Sequence, residues 1–123
     1  MKAQHLRIGN LLKYCDDGSI FTVDGIHEYG IDCHDDVENS YMEYENFEPI
    51  PLTEEWLFKF GFENDDDDFL KDIDERTGIH ISLKTGRYLL EGYDGVIKIP
   101  CEIKYVHELQ NLYYALTKKE LTL

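Results

Sequence analysis

Only after Pro100 does this 123-residue chain hold a helical period: Val106, Leu109, Tyr113 and Leu116 recur at three- and four-residue steps, with Ile103, Tyr105 and Leu112 widening the stripe. That predicts a helix of roughly four turns. Lys118 and Lys119 near its end suit the negative pole of the helix dipole. Before Pro100 the apolar residues come in short runs cut by Gly, Asp and Pro, the pattern of strands and turns. The two patterns together define an α+β chain, long enough for one ordinary hydrophobic core. A single domain over 1–123 with two lobes, 1–50 and 51–123, is the expected organisation.

The first lobe reads as short strands. Leu6–Tyr14 precedes the turn-forming Asp16-Asp17-Gly18-Ser19, and Ile20-Phe21-Thr22-Val23 has the β-branched and aromatic content of a strand. Asp24-Gly25 then fits either a hairpin turn or a glycine bulge within one continuing strand. Ile31-Asp32-Cys33 and Tyr41-Met42-Glu43-Tyr44 add two candidate strands around the polar loop from His34 to Ser40. This spacing predicts a small, strongly bent β-barrel of SH3-like type.

Pro49 and Pro51 close that region, and a helix start follows. Thr53 is placed to cap free amides, Glu54 and Glu55 oppose the dipole in the first turn, Leu52 is set to staple against Leu57, and Gly61 is a natural stop. A helix of about two turns does not persist alone, so Trp56, Leu57 and Phe60 are expected to be buried. From Phe69 strands return: Ile79, Ile81 and Leu83 alternate with His80 and Ser82, Gly86, Gly92 and Gly95 punctuate, and Ile97 and Ile99 alternate with Lys98. The second lobe is therefore expected to be a short helix, a three-stranded antiparallel meander and the C-terminal helix packed on that sheet.

Charge is unevenly spread along the chain. Of 26 acidic residues, 21 fall between Asp16 and Glu75, opposed only by Lys59 and Lys71, so that stretch carries −19 and the flanks +5. Such a field repels nucleic acid and membrane surfaces and favours basic partners or cations. With 12 basic residues and no basic, aromatic-rich stretch, direct nucleic-acid binding is not expected. A hydrophobic content of 42% is too high for an intrinsically disordered chain. No apolar run approaches the ~20 residues that span a bilayer, and Met1–Asn10 has no hydrophobic segment of secretion-signal type, so a cytoplasmic location without membrane association is expected. Cys15, Cys33 and Cys101 are odd in number and widely spaced, which suits reduced thiols better than a disulfide framework or a zinc knuckle.

Asn64-Asp65-Asp66-Asp67-Asp68 is the most conspicuous local feature. Counted from Asn64, residues Asp66, Asp68, Asp72 and Glu75 fall at places three, five, nine and twelve of an EF-hand loop, but Phe69 stands where that loop needs glycine. A solvated acidic turn between helix and strand is the better reading. A small metal-dependent hydrolase using Asp65–Asp68 is the enzymatic alternative, weakened because a contiguous Asp run splays outward instead of converging on one ion. Cys33 and His34 are neighbours, yet on a strand they point to opposite faces and cannot act as nucleophile and base. His27, His80 and His107 have no spacing that joins them to a nucleophile or second ligand, and His107 is expected at the boundary of the last helix's apolar stripe. Tyr41, Tyr44, Tyr105, Tyr113 and Tyr114, with Trp56 and Phe47, are the aromatic residues that a protein-binding face could use; Trp56, Tyr105 and Tyr113 read as core, whereas Tyr114, offset from the stripe, reads as the best exposed contact. Phosphate-loop, dinucleotide-binding, zinc-protease and nucleophile-elbow motifs are absent, and no cofactor is expected.

Two segments, Pro51-Leu52-Thr53-Glu54-Glu55-Trp56-Leu57-Phe58-Lys59-Phe60-Gly61-Phe62 and Ile103-Lys104-Tyr105-Val106-His107-Glu108-Leu109-Gln110-Asn111-Leu112-Tyr113-Tyr114-Ala115-Leu116-Thr117, carry a resemblance together with the opening Leu6-Arg7-Ile8-Gly9-Asn10. They resemble a family of small uncharacterised proteins that recur in Bacteroides-type gut bacteria and their phages or prophages. The resemblance implies a mobile-element context and no activity, cofactor or site. Charge and context together give the functional expectation of a non-enzymatic interaction module whose acidic lobe meets a basic protein, the second lobe serving as scaffold. The residues expected to make that contact are Asp65, Asp66, Asp67, Asp68, Asp72, Asp74, Glu75 and Tyr114. A DNA mimic occupying the cationic groove of a host defence protein is the alternative within the same class.

Overall fold

A computed structural model describes residues 5–92 and 95–123, without the side chains of Asp65 and of residues 96–101. Those of Asp65, Cys101 and the Ile97-Lys98-Ile99 alternation therefore lie outside the described residues. The architecture is α+β, with two five-stranded antiparallel sheets and two α-helices among the described residues. The chain divides into two compact units, Met1–Pro51 with Tyr105–Glu120, and Leu52–Lys104 with Leu121–Leu123.

The first unit is built on a curled sheet of half-barrel form. Its strands are β1 (Leu11–Tyr14), β2 (Ile20–Ile26), β3 (Gly30–His34), β4 (Asn39–Glu43) and the two-residue β5 (Phe47–Glu48), ordered β4-β3-β2-β1-β5. Leu12, Phe21, Val23, Ile31, Cys33 and Phe47 point inward with Leu6 and form a buried cluster, while their strand neighbours Asp24 and Asp32 face solvent. Asp24-Gly25 turns out to be the bulge and not the hairpin turn: Val23 pairs with Cys33 and Gly25 with Asp32, leaving Asp24 as the extra residue in one continuous strand. The chain reverses later, at His27–Gly30, where His27 N donates to Gly30 O at 2.9 Å.

Helix α2 (Val106–Thr117) belongs to this first unit and contacts β1. It was expected on the meander of the second lobe, and buried polar groups explain its actual place. Leu11 N donates to Gln110 Oε1 at 2.8 Å, Gln110 Nε2 to Gly9 O at 3.2 Å, and fully buried Asn10 donates through Nδ2 to Asn111 Oδ1 at 2.8 Å. Asn111 Nδ2 reaches His5 O at 3.2 Å. Backbone groups of the opening segment that no strand satisfies are thus satisfied by the helix. Glu108 accepts from Tyr105 N at 3.0 Å at the start of α2, and Lys118 ends it in a left-handed conformation at φ 61°.

The second unit opens with α1 (Glu54–Lys59), capped as expected by Thr53 Oγ1, which accepts from Trp56 N at 3.4 Å. Leu57 and Phe60 are buried, Trp56 is half-buried, and Phe58 meets Phe69 edge-on at 5.5 Å. Burying a Leu or Phe side chain is worth about 1.5–3 kcal/mol, enough to hold two turns that would melt alone. Gly61, at φ +86°, ends the helix in a conformation side chains disfavour.

The sheet that follows has five strands where three were expected. Strands β6 (Glu63–Asp65), β7 (Asp68–Asp72), β8 (Gly78–Ser82), β9 (Arg87–Gly92) and β10 (Gly95–Glu102) run in the order β10-β9-β8-β7-β6. The additional pair is made from the acidic run itself. Asp65 pairs with Asp68 across a two-residue turn, and Asp66 takes φ 56°, a left-handed conformation that Asp tolerates better than most residues. Ile79 and Ile81 are fully buried with His80 and Ser82 on the opposite face, as the alternation predicts.

Candidate functional site

The expected contact residues separate into three places. Asp66 and Asp67 sit exposed at the tip of the β6–β7 hairpin, with Asp67 Oδ2 3.9 Å from Lys84 Nζ in an exposed pair of little energetic consequence. Asp72, Asp74 and Glu75 lie at the other end of β7. Asp74 is committed to the turn there: its Oδ1 accepts from Arg76 N at 2.7 Å and Thr77 N at 2.8 Å, while Ile73 N donates to Thr77 O at 2.8 Å. Asp72, Asp74, Glu75, Arg76 and Glu91 border a recess of about 390 Å³ that also reaches Leu70. His80 Nε2 stands 2.6 Å from Oε2 of the recess-lining Glu91, a close approach without hydrogen-bond alignment.

Tyr114 lies on α2 and is half-buried. Arg7 covers one face of its ring, with the guanidinium carbon 4.3 Å from the centroid. Arg7 is in turn held by Glu120, through Nη2 at 3.0 Å, and by Asn111 at 3.3 Å. The Arg7 hydrogen bond keeps the Glu120 carboxyl below the usual range. The ring expected to meet a partner is thus already engaged within the chain.

His107 corrects another expectation. Instead of a boundary position it has a buried one, 5% exposed, stacked on Tyr105 with ring centroids 6.0 Å apart. Burial pushes its pKa down, with His5 adding a smaller push the same way and Glu108 opposing. Cys33 behaves as expected: it is buried in the sheet core with His34 on the far face, and burial followed by the charge of Asp24 raises the thiol pKa. That combination makes a poor nucleophile. Among the described residues no three His, Cys, Asp or Glu side chains are grouped so as to hold a metal ion.

The acidity also divides differently from the lobes first inferred. The first unit contains 13 acidic and 5 basic residues and the second 13 and 7, so their formal charges are −8 and −6. Neither is a cationic scaffold. The −19 stretch looked like one lobe because it spans the chain from the β1–β2 turn of the first unit to the β7–β8 turn of the second.

Sequence reasoning named Tyr41 as a possible contact aromatic but missed its grouping with His27, Asp32, Asp24 and His34 on the outer face of β2, β3 and β4. Cross-strand register lays two rows on it, Gly25·Asp32·Tyr41 and Thr22·His34·Asn39. Asp32 Oδ2 lies 2.7 Å from His27 Nε2, and the His27 ring sits 5.9 Å from that of Tyr41 at 59°. Asp24, displaced by the bulge, meets His34 Nδ1 at 2.7 and 2.8 Å. Gly25 makes room for this: a Cβ there would stand 3.1 Å from Asp32 Oδ2. About half of each of His27, Asp32 and Tyr41 is open to solvent. The signal was present as a bulge glycine beside alternating His, Asp and Tyr, but it becomes legible only when the Asp24-Gly25 ambiguity is decided. Among the described residues no helix is long and apolar enough to cross a membrane. Comparison with protein-family models, with curated proteins and with solved structures finds no match to this chain in any of the three.

Proposed function

We propose that the chain is a non-enzymatic acidic interaction module that binds a basic protein partner. One observation carries the reading: from Asp16 in the β1–β2 turn to Glu48 at the end of β5, there are eleven carboxylates and no Lys or Arg. Charge of one sign on strands and the turns between them attracts cationic surfaces, speeds their encounter and repels polyanions. The curled first sheet is read as an SH3-like barrel type, a small scaffold on which such side chains are displayed. The resemblance to phage- and prophage-associated proteins of gut bacteria supports a partner drawn from host or phage machinery.

The reading is tested by presenting the tagged chain with purified basic and acidic proteins at about 50 mM and about 500 mM salt, where the screening length falls severalfold. Retention of basic proteins at the lower salt and release at the higher is expected. Failure to retain any basic protein at low salt overturns it.

A further inference from the structure

We propose that the outer face of β2–β4 is a docking platform for an extended segment carrying arginines at alternate positions. The inference rests on the basic-partner reading and gives it a place and a chemistry. The feature is not acidity alone, for the face joins an exposed aromatic corner, His27 against Tyr41, to the Asp32 carboxylate in the same cross-strand row. A planar guanidinium stacks on an aromatic face and forks its N–H groups onto a carboxylate in one arrangement, which an ammonium cannot do. Tyr41 and Asp32 stand directly opposite each other, at a Cβ separation of about 4.5–5.5 Å for such pairs, so one guanidinium reaches both.

A second acceptor repeats the first. Asp24 lies in the bulge against His34, two residues along β3 from Asp32. One imidazole does not exhaust a carboxylate, which offers about four lone-pair positions. Residues two apart on a strand are about 6.6 Å apart along its axis, and an extended peptide spaces alternate side chains equally. An Arg-x-Arg segment therefore meets both rows in register. Charge complementarity selects this occupant, because Glu28 and Glu43 border the face and no Lys or Arg belongs to these strands.

The test uses the full chain with two fluorescent probes, a short peptide alternating arginine and threonine and its lysine counterpart, read by anisotropy at low salt. The arginine peptide is expected to bind about tenfold tighter than the lysine peptide. The double variant Tyr41→Ala/His27→Ala is expected to erase that preference, as is Asp24→Asn/Asp32→Asn, which keeps side-chain size should the first variant unfold. Asp72→Asn/Glu91→Gln in the second-unit recess is expected to leave affinity for the arginine peptide within about twofold, since it removes no platform group. Equal affinity for the two peptides overturns the platform. So does unchanged binding in both platform variants with loss in the recess variant, an outcome that leaves the basic-partner reading standing. Absence of binding by either peptide overturns both.

Discussion

At Asn10 a polar side chain does what a sequence reading assigns to apolar ones. It is fully buried, accepts from Arg7 N at 2.7 Å and donates to Asn111 at 2.8 Å, so it fastens the opening segment to α2. Replacing it with alanine strands the Arg7 amide, which costs about 1–3 kcal/mol. Asn10→Ala should lower the urea midpoint accordingly with the slope unchanged, and an unaltered midpoint would show the network to be dispensable. His107 makes the complementary case. Its folded pKa lies below the ordinary 6.5, so the unfolded chain binds the extra proton first, and the stabilisation is complete above 6.5 and declines as pH falls towards the folded value. Stability is therefore expected to fall as pH drops below the ordinary 6.5, and the slope of the His107→Leu variant to be shallower there; equal slopes would assign the loss to other groups. Nothing in the helical stripe distinguishes a buried His from a boundary one, which is why burial of His107 was not legible.

Elements were legible where local chemistry decides them. Thr53, Glu54 and Glu55 mark the start of α1 and Gly61 its end, and the Ile79–Ile81 alternation marks β8 with its faces correctly assigned. Strand β6 was hidden because Asn64–Asp68 has turn composition throughout, and only pairing of Asp65 with Asp68 separates strand from tip. The partner of α2 was hidden for a different reason: an amphipathic stripe says that a face is buried, not which sheet buries it. On the platform, the residue types were visible but the bulge that gathers them was one of two readings. The hairpin tip offers a direct check. Asp66 holds φ 56°, so Asp66→Val, β-branched and intolerant of that region, should cost about 1–2 kcal/mol, while Asp66→Asn keeps the turn and removes one of four successive charges. Chemical denaturation at low salt is expected to rank Asn above Asp above Val; a Val variant as stable as the parent would mean that the tip relaxes to another turn.

For the molecule as a whole, the order of units along the chain matters more than the run of charge. The second unit's main segment, Leu52–Lys104, is an insertion between Pro51 and Tyr105, and those two residues pair with each other. Val106 N donates to Ile50 O at 2.9 Å on the side of the first unit, and Leu52 N to Lys104 O at 2.9 Å on the side of the second. Each unit thus has its chain ends already side by side, with its own sheet and buried residues. If so, a chain in which a short Gly-Ser link replaces 52–104, ending at Glu120, should keep the first unit's fold, because the two ends it joins are already paired and a shorter loop costs less to close. A domain of that size buries a smaller share of its surface, so a stability reduced to a few kcal/mol is expected, with a single cooperative transition and β-rich circular dichroism. The hydrogen-bond network of buried Asn10 and Gln110 with half-buried Asn111 lies wholly within that fragment and supplies the tie between its first and last segments. Loss of cooperativity in the joined fragment, with the Asn10 network intact in the full chain, would show that the first unit depends on the insertion for its core.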